Sequence, residues 1–270
     1  MIVRMARASW NMAGMIMQYR KILSAVTMVE LSKKYSGSAF GQLWLVLYPL
    51  LLLSIYLFVY LVVFKMRFPG FSELDYTIYV FTGLIPYIGM SEALTSGAVS
   101  IRQNMHLVKN VMLPIDLIPV RAVFISLVSQ VVSILLVLML ILWNNNLSLY
   151  IGFLPIVIFL QIIFLIGCVL VLSSLVVLIP DIANFVNLGM LLLMFVSPIG
   201  FKPDMVPPGF QAIILLNPVH YMTDAFRMVM LSDHEFNWHS MAIFAVMCVV
   251  AFALGCTFFR RFKNLLVDYE

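Results

Sequence analysis

Glu92 is a single carboxylate set in a long apolar run, and Gly89, Ser96 and Ser100 recur around it at spacings of three and four. On a helix that spacing draws one small and polar stripe. A carboxylate at such depth must face the protein interior, a hydrated cavity or a partner, because a charge among lipid tails is costly. Three chemistries fit it: hydrogen bonding between helices, lining of a hydrated pathway, and proton coupling. Proton-driven carriers string several buried ionisable groups along a relay, and this chain offers one. It also lacks the matched Gly- or Pro-broken helices of an inverted repeat.

Aromatic residues are the second chemical resource. Tyr48, Tyr56 and Tyr60 precede the stripe, and Tyr79, Phe81 and Tyr87 lie at the opposite half of the same run as Glu92. Flat amphipathic rings serve either as membrane-interface residues or as stacking surfaces for sugars, whose hydroxyls pair with the tyrosine hydroxyls. Catalytic patterns are missing. His106, His220, His234 and His239 form no HExxH, no GxSxG elbow occurs, and Asp224, four residues after His220, reads first as an interfacial hydrogen bond. There is no GxxxxGK[ST] loop, so the chain has no phosphate cradle of its own. Cys168, Cys248 and Cys256 fall in apolar segments and read as small packing residues.

These groups must be positioned by membrane helices. Of 270 residues, 63% are hydrophobic and 10% charged, with a mean hydropathy of +1.07, which excludes an ordinary soluble domain. A bilayer core of about 30 Å takes roughly 20 apolar residues per helix. Six spans are predicted: 44–64, 77–101, 117–143, 155–178, 182–201 and 238–259. With the N-terminus inside, twelve of the 16 Lys and Arg residues fall on the inner side, and only Lys65, Arg67, Lys202 and Arg227 outside. Both termini are therefore expected in the cytoplasm. The start shows no cleavable signal, and the net charge of +4 is distributed as a membrane surface demands rather than as nucleic-acid binding does.

Two further segments depart from simple spans. Residues 18–34 place Ile22, Leu23, Val26 and Val29 at helical spacing among Arg20, Lys21, Glu30, Lys33 and Lys34, a helix lying on the inner surface. It serves as an anionic-lipid anchor or as a grip for a cytoplasmic partner. Residues 203–231 are broken by Pro203, Pro207, Pro208 and Pro218, with Gly209 between, so no continuous span crosses there. Its apolar pieces, 210–216 and 221–231, are too short to cross and read as re-entrant or interfacial half-helices on the outer side.

Four stretches in order carry a resemblance. "KKYSGSAFGQLWLVLYP" sets Lys34, Tyr35, Gly37, Ser38, Gly41, Trp44 and Pro49 before the first span. "VFTGLIPY" (Val80 to Tyr87) lies in the second, "NMHLVKNVMLPIDLIPV" (Asn104 to Val120) connects the second and third, and "LLNPVHYMTDAFRMVML" (Leu215 to Leu231) follows the fifth. Together they resemble the permease subunits of type-2 ABC exporters that move polysaccharides across the bacterial inner membrane, from Gln18 to Phe259. One departure is visible: Pro180-Asp181 stands where many members have an Arg-Asp pair.

The resemblance implies an all-α integral membrane protein forming one domain over 1–270, with an N-terminal amphipathic interface helix, six transmembrane helices and two short re-entrant gate helices between the fifth and sixth. It implies a homodimer working with two copies of a separate ATP-binding subunit; this chain binds no cofactor, and ATP and Mg sit on the partner. The substrate would be a polymer on an undecaprenyl diphosphate lipid, as in O-antigen export. Expected roles follow by position. Arg20, Lys21, Glu30 and Lys33, with Asn104 and His106 of a short loop helix, would touch the ATPase. Lys34, Arg102, Lys109 and Arg121 would meet the lipid diphosphate or merely obey the positive-inside rule. Tyr48, Tyr56, Tyr60, Tyr79, Phe81, Tyr87, Glu92 and Ser96 would line the channel, and Pro207, Asn217, Pro218 and Arg227 would form the outer gate. Capsule or teichoic acid export, a drug or lipid exporter of the same family, and a channel or secondary carrier are the alternatives.

Overall fold

The computed structural model describes residues 2–63, 72–104 and 114–268. Among them are ten α-helices and no β-strand, the one bridge joining Leu147 to Leu231. The helices are α1 (Ile2–Gln18), α2 (Arg20–Tyr35), α3 (Trp44–Leu57), α4 (Glu73–Gln103), α5 (Leu117–Trp143), α6 (Leu154–Leu178), α7 (Ile182–Val196), α8 (Pro208–Leu216), α9 (Pro218–Met230) and α10 (Trp238–Asp268). A π-helical stretch, Phe58–Val63, prolongs α3. Lys109, His106 and most of the expected loop helix lie outside the described residues, as does the side chain of Tyr60.

Among the described residues three segments are long and apolar enough to cross a membrane: Leu117–Trp143, Ile151–Leu178 and Trp238–Lys263. The apolar helices α3 and α7 are shorter. Helix α4 has the length, 31 residues, but Thr, Gly, Pro, Ser and Glu interrupt its apolar run. Local chemistry fixes the helix ends. Ser72 and Asp75 form a reciprocal capping box at the start of α4, Asn217 caps α9 by accepting from the Val219 N–H at 2.9 Å, and Pro208 and Pro218 open α8 and α9 where no intrahelical donor is needed.

Helix α4 is the centre of the bundle: from Tyr76 to Ile101 most of its residues are buried, against α5, α6, α7 and α9. Lipid tails are as apolar as leucine, so packing and polar clasps, rather than transfer from water, must hold such helices together. Helices α6 and α10 meet backbone to backbone, a Cβ on Gly255 falling 2.6 Å from the Gly167 Cα. Between α5 and α6, Gln130 Nε2 donates to Gln161 Oε1 at 2.7 Å, and Gln161 Nε2 donates to the Pro86 carbonyl at 3.1 Å. Gly89 makes room for that pair, since a Cβ there would overlap the Gln130 amide.

Several boundaries differ from the sequence expectation. The expected surface helix 18–34 is preceded by a second helix, α1, whose Ala8 and Met12 are buried while Trp10 stands exposed, and which packs on α10. Its apolar residues are interspersed with Arg and Asn, so no continuous apolar run announces it. In α2 the buried stripe is Leu23, Thr27 and Leu31, and Ile22 and Val29 are exposed, one step round from the expected face. Helix α7 stops at Val196 instead of 201, because the Ser197-Pro198 step leaves the helical conformation. The two pieces after it differ in kind: α9 is buried in the bundle, whereas α8 exposes Phe210, Ile213, Leu215 and Leu216.

Candidate functional site

A cleft of about 590 Å³ opens between α3, α4 and α7. Each wall follows from helical spacing: Tyr48, Leu52 and Tyr56 on α3; Tyr87, Ser91 and Thr95 with Ile88 and Glu92 on α4; Asn187, Met190, Leu191 and Met194 on α7. Lys34 enters from the last turn of α2. Tyr56 donates to the Met194 sulfur at 2.8 Å, and the Tyr87 hydroxyl donates to the Met190 carbonyl, so two rings of the wall are pinned to α7.

The charged end of the cleft is one ion pair. Lys34 Nζ lies 2.6 Å from Glu92 Oε1, with side chains 44% and 27% exposed. A smaller cavity of about 30 Å³ adjoins it between α3, α4 and α5, reached by the same two side chains and by Ser129, Gln130 and Ser133. Of the rest of the expected stripe, Gly89 lines the adjoining cavity, and Ser96 and Ser100 line neither space. Gly89 abuts Gln130, the buried Ser100 hydroxyl donates to the Gly97 carbonyl, and Ser96, though exposed, spends its hydroxyl on the Glu92 carbonyl.

Of the six expected aromatic contacts, Tyr48, Tyr56 and Tyr87 come together on the cleft. Tyr79 and Phe81 do not: both are buried in the core, Tyr79 on the side of α4 that meets α9. Tyr79 lies beneath Arg227, whose guanidinium carbon is 3.7 Å from the ring centroid. Arg227 was expected among the outer gate residues, yet only 2% of it is exposed. Its nitrogens donate to the carbonyls of Pro198 at 2.8 Å, Ile199 at 2.7 Å and Tyr79 at 3.3 Å. It therefore clamps the chain leaving α7 onto α4, and Gly83 leaves the space, a Cβ there falling 2.6 Å from Arg227 Nη2. Asn217 is likewise buried, donating to Ser197 Oγ at 2.9 Å, while Pro207 is exposed and Pro218 half-buried.

The expected lipid-diphosphate residues scatter. Lys34 is on the cleft and Arg102 is exposed in the last turn of α4. Arg121 is buried, with Nη1 2.7 Å from Glu30 Oε1, so it ties α5 to α2 and does not present itself to a headgroup. Glu30 is thereby drawn into an internal tie, while Arg20, Lys21 and Lys33 remain exposed on α2, Lys33 on a shallow groove with Met28, Val29, Ser32 and Ser36. Asn104 closes α4, its side chain donating to the Ser100 carbonyl at 2.8 Å. Lys263 of α10 pairs with Asp116 at the start of α5.

At the other end, Asp224 receives His234 Nε2 at 2.7 Å and the Ser240 hydroxyl at 2.5 Å, joining α9 to the start of α10. Burial pushes its carboxyl up, but those hydrogen bonds outweigh it and hold the group below the usual carboxylate range. The Ser72 hydroxyl likewise holds Asp75 low, against a smaller opposing effect of burial. Among the described residues no group of three His, Cys, Asp or Glu side chains is placed to hold a metal ion.

Sequence reasoning missed the α7 wall and the Ser91 and Thr95 hydroxyls. Asn187, one of two asparagines in a mostly apolar helix and followed by Met190 and Met194 at spacings of three and four, was the available signal.

Composition and architecture define the class, a multi-pass helical membrane protein. The family model for ABC-2 type transporters matches residues 22–231, and the chain belongs to that family. It is 27% identical over 244 residues to the O-antigen export system permease protein RfbA of Klebsiella pneumoniae, covering 90% of this chain and 92% of that one. The protein of the same name from Myxococcus xanthus is 26% identical over 251 residues, covering 90% and 94%. The polysialic acid transport protein KpsM of Escherichia coli is 24% identical over 250 residues, covering 91% and 95%.

Proposed function

We propose that this chain is the permease subunit of an ATP-driven exporter of lipid-linked polysaccharide in the bacterial inner membrane. The carrying observation is the cleft: three tyrosines from two helices form a wall that ends in a lysine, within a chain whose relatives bear the names of O-antigen and polysialic acid export proteins. Aromatic faces stack on sugars of many kinds and let a polymer advance, while hydroxyls at their rims exchange hydrogen bonds along it. Membership of the ABC-2 family implies an ABC ATP-binding partner, and ATP and Mg belong to that partner. Two permease copies and two ATP-binding subunits make the working unit. The outward faces of α3 and α7, where Leu51, Ile55, Phe185, Leu188 and Leu192 are exposed, support pairing with a second copy that would close the cleft into a channel.

In this reading α3 to α7 and α10 supply six crossings, α8 and α9 stand at the outer side, and both termini are cytoplasmic. The exposed Arg20, Lys21 and Lys33 of α2 dock the ATP-binding subunit, and closure of that subunit moves α2 as a lever. The polymer arrives on undecaprenyl diphosphate, whose head meets Lys34 first. Deleting the gene for this chain tests the reading: polymer accumulating inside the cell on undecaprenyl diphosphate is expected. An unchanged surface glycan, with altered sensitivity to drugs, would overturn it in favour of a drug or lipid exporter.

A further inference from the structure

We propose that Glu92 is the resident counter-ion of Lys34, displaced when a phosphate anion on the substrate lipid takes the lysine, so that the pair works as an exchangeable latch at the cleft. The inference rests on the export reading above, which supplies an anionic headgroup. Three observations carry it. The pair is short, 2.6 Å, yet both partners remain part-exposed toward the cleft, so an anion can reach the ammonium without unfolding anything. The other ion pair that holds α2, Arg121 with Glu30, has its arginine side chain only 5% exposed and offers no such access. Beside Lys34 and Glu92, on the adjoining cavity, the buried Ser129 hydroxyl has no hydrogen-bond partner among the described residues, an unspent donor next to the pair.

The physical balance favours exchange for one class of ligand. A part-solvated Lys–Glu pair is weak, and a phosphate or diphosphate offers the ammonium more charge and more acceptor oxygens than one carboxylate does. A lipid whose head carries no net negative charge offers the ammonium less than Glu92 does, so the pair holds against it. Glu92 stays beside the incoming anion and weakens its binding, which keeps the head from being trapped. Exchange also has a mechanical consequence. Lys34 joins α2 to α4, whereas Glu30 joins α2 to α5, so loading releases one of the two ion pairs that tie this helix to the bundle among the described residues.

The test measures lipid binding to the permease with its ATP-binding partner in phosphatidylcholine nanodiscs. Undecaprenyl diphosphate and, separately, phosphatidylglycerol are titrated into wild type, Lys34→Gln, Glu92→Gln and the swapped pair Lys34→Glu/Glu92→Lys. For one of the two lipids, Glu92→Gln is expected to bind about tenfold more tightly than wild type and Lys34→Gln about tenfold more weakly, a difference of about 1.4 kcal/mol in each direction. The lipid showing this split identifies the carrier. The swapped pair keeps one ammonium and one carboxylate at the cleft and is expected to assemble and to bind within a few-fold of wild type; it decides alone should Glu92→Gln fail to assemble, and binding as weak as that of Lys34→Gln overturns the latch. Shifts of the same sign in the two single variants, or no shift, also overturn it while leaving the export reading intact. No binding of either lipid to wild type removes the lipid-linked reading and the latch together.

Discussion

Arg227 holds carbonyls that no helix could pair. After α7 ends, the Pro198 and Ile199 carbonyls lie inside the protein, and the guanidinium of Arg227 supplies both, with the Tyr79 carbonyl and ring completing its surroundings. Replacing it by alanine strands those acceptors, at about 3 kcal/mol. We expect Arg227→Ala to lower the melting temperature of the purified permease by roughly 10 °C, and Arg227→Lys to recover only part of the loss, since an ammonium cannot reach several carbonyls in one plane. Unchanged melting in both variants would contradict the clamp. A lone arginine in a Pro-broken external segment reads in sequence as a solvated outer charge, and nothing local reveals its burial. By contrast, Lys34, Tyr48, Tyr56, Tyr87 and Glu92, which meet on the cleft, stood out in sequence because charge is scarce in so apolar a chain and the tyrosines recur at helical spacing.

Helix association depends on how closely backbones approach. Gly167 and Gly255 bring α6 and α10 into direct backbone contact, whereas Gly152 has open space around its Cα. We expect Gly255→Ala to cost about 2 kcal/mol or more, because a backbone cannot yield as a flexible side chain does, and Gly152→Ala to stay within about 0.5 kcal/mol; chemical denaturation in detergent micelles measures both. Equal effects would mean that the crossing is looser than described. At the start of α4 the Asp75 carboxyl is held low by Ser72, so its folded pKa lies below the unfolded one. That contribution is present above the ordinary carboxylate value of about 4 and is lost as pH falls through the folded value. Asp75→Asn should therefore flatten the acid limb of the stability profile, and an acid limb identical to wild type would count against the cap. The three long apolar helices were legible as elements because apolar runs of that length have few other uses. The presence of α1 was not, since it depends on packing against α10, far away in sequence; the end of α7 was signalled by the Ser197-Pro198 step, which the expected span ran through.

At the scale of the whole molecule, the cleft joins parts of the chain more than a hundred residues apart. Tyr48 and Tyr56 come from α3, Tyr87 and Glu92 from α4, and Asn187, Met190 and Met194 from α7. The order of motifs made the family legible, and periodicity made each wall legible by itself. Which face of α4 turns to α7 and which to α9 was not, because its buried positions run all the way round and the helix has no single apolar side. That ambiguity explains why Tyr79 and Phe81 were grouped with Tyr87. The central claim, that polymer passes the tyrosine wall, is tested most directly by placing a photo-crosslinking residue at Tyr56, Tyr87 or Tyr79 in cells making the glycan and probing each permease for attached sugar. Crosslinks to polymer from positions 56 and 87, and none from position 79, are the predicted result; attachment at 79 with none at 56 and 87 would contradict the account.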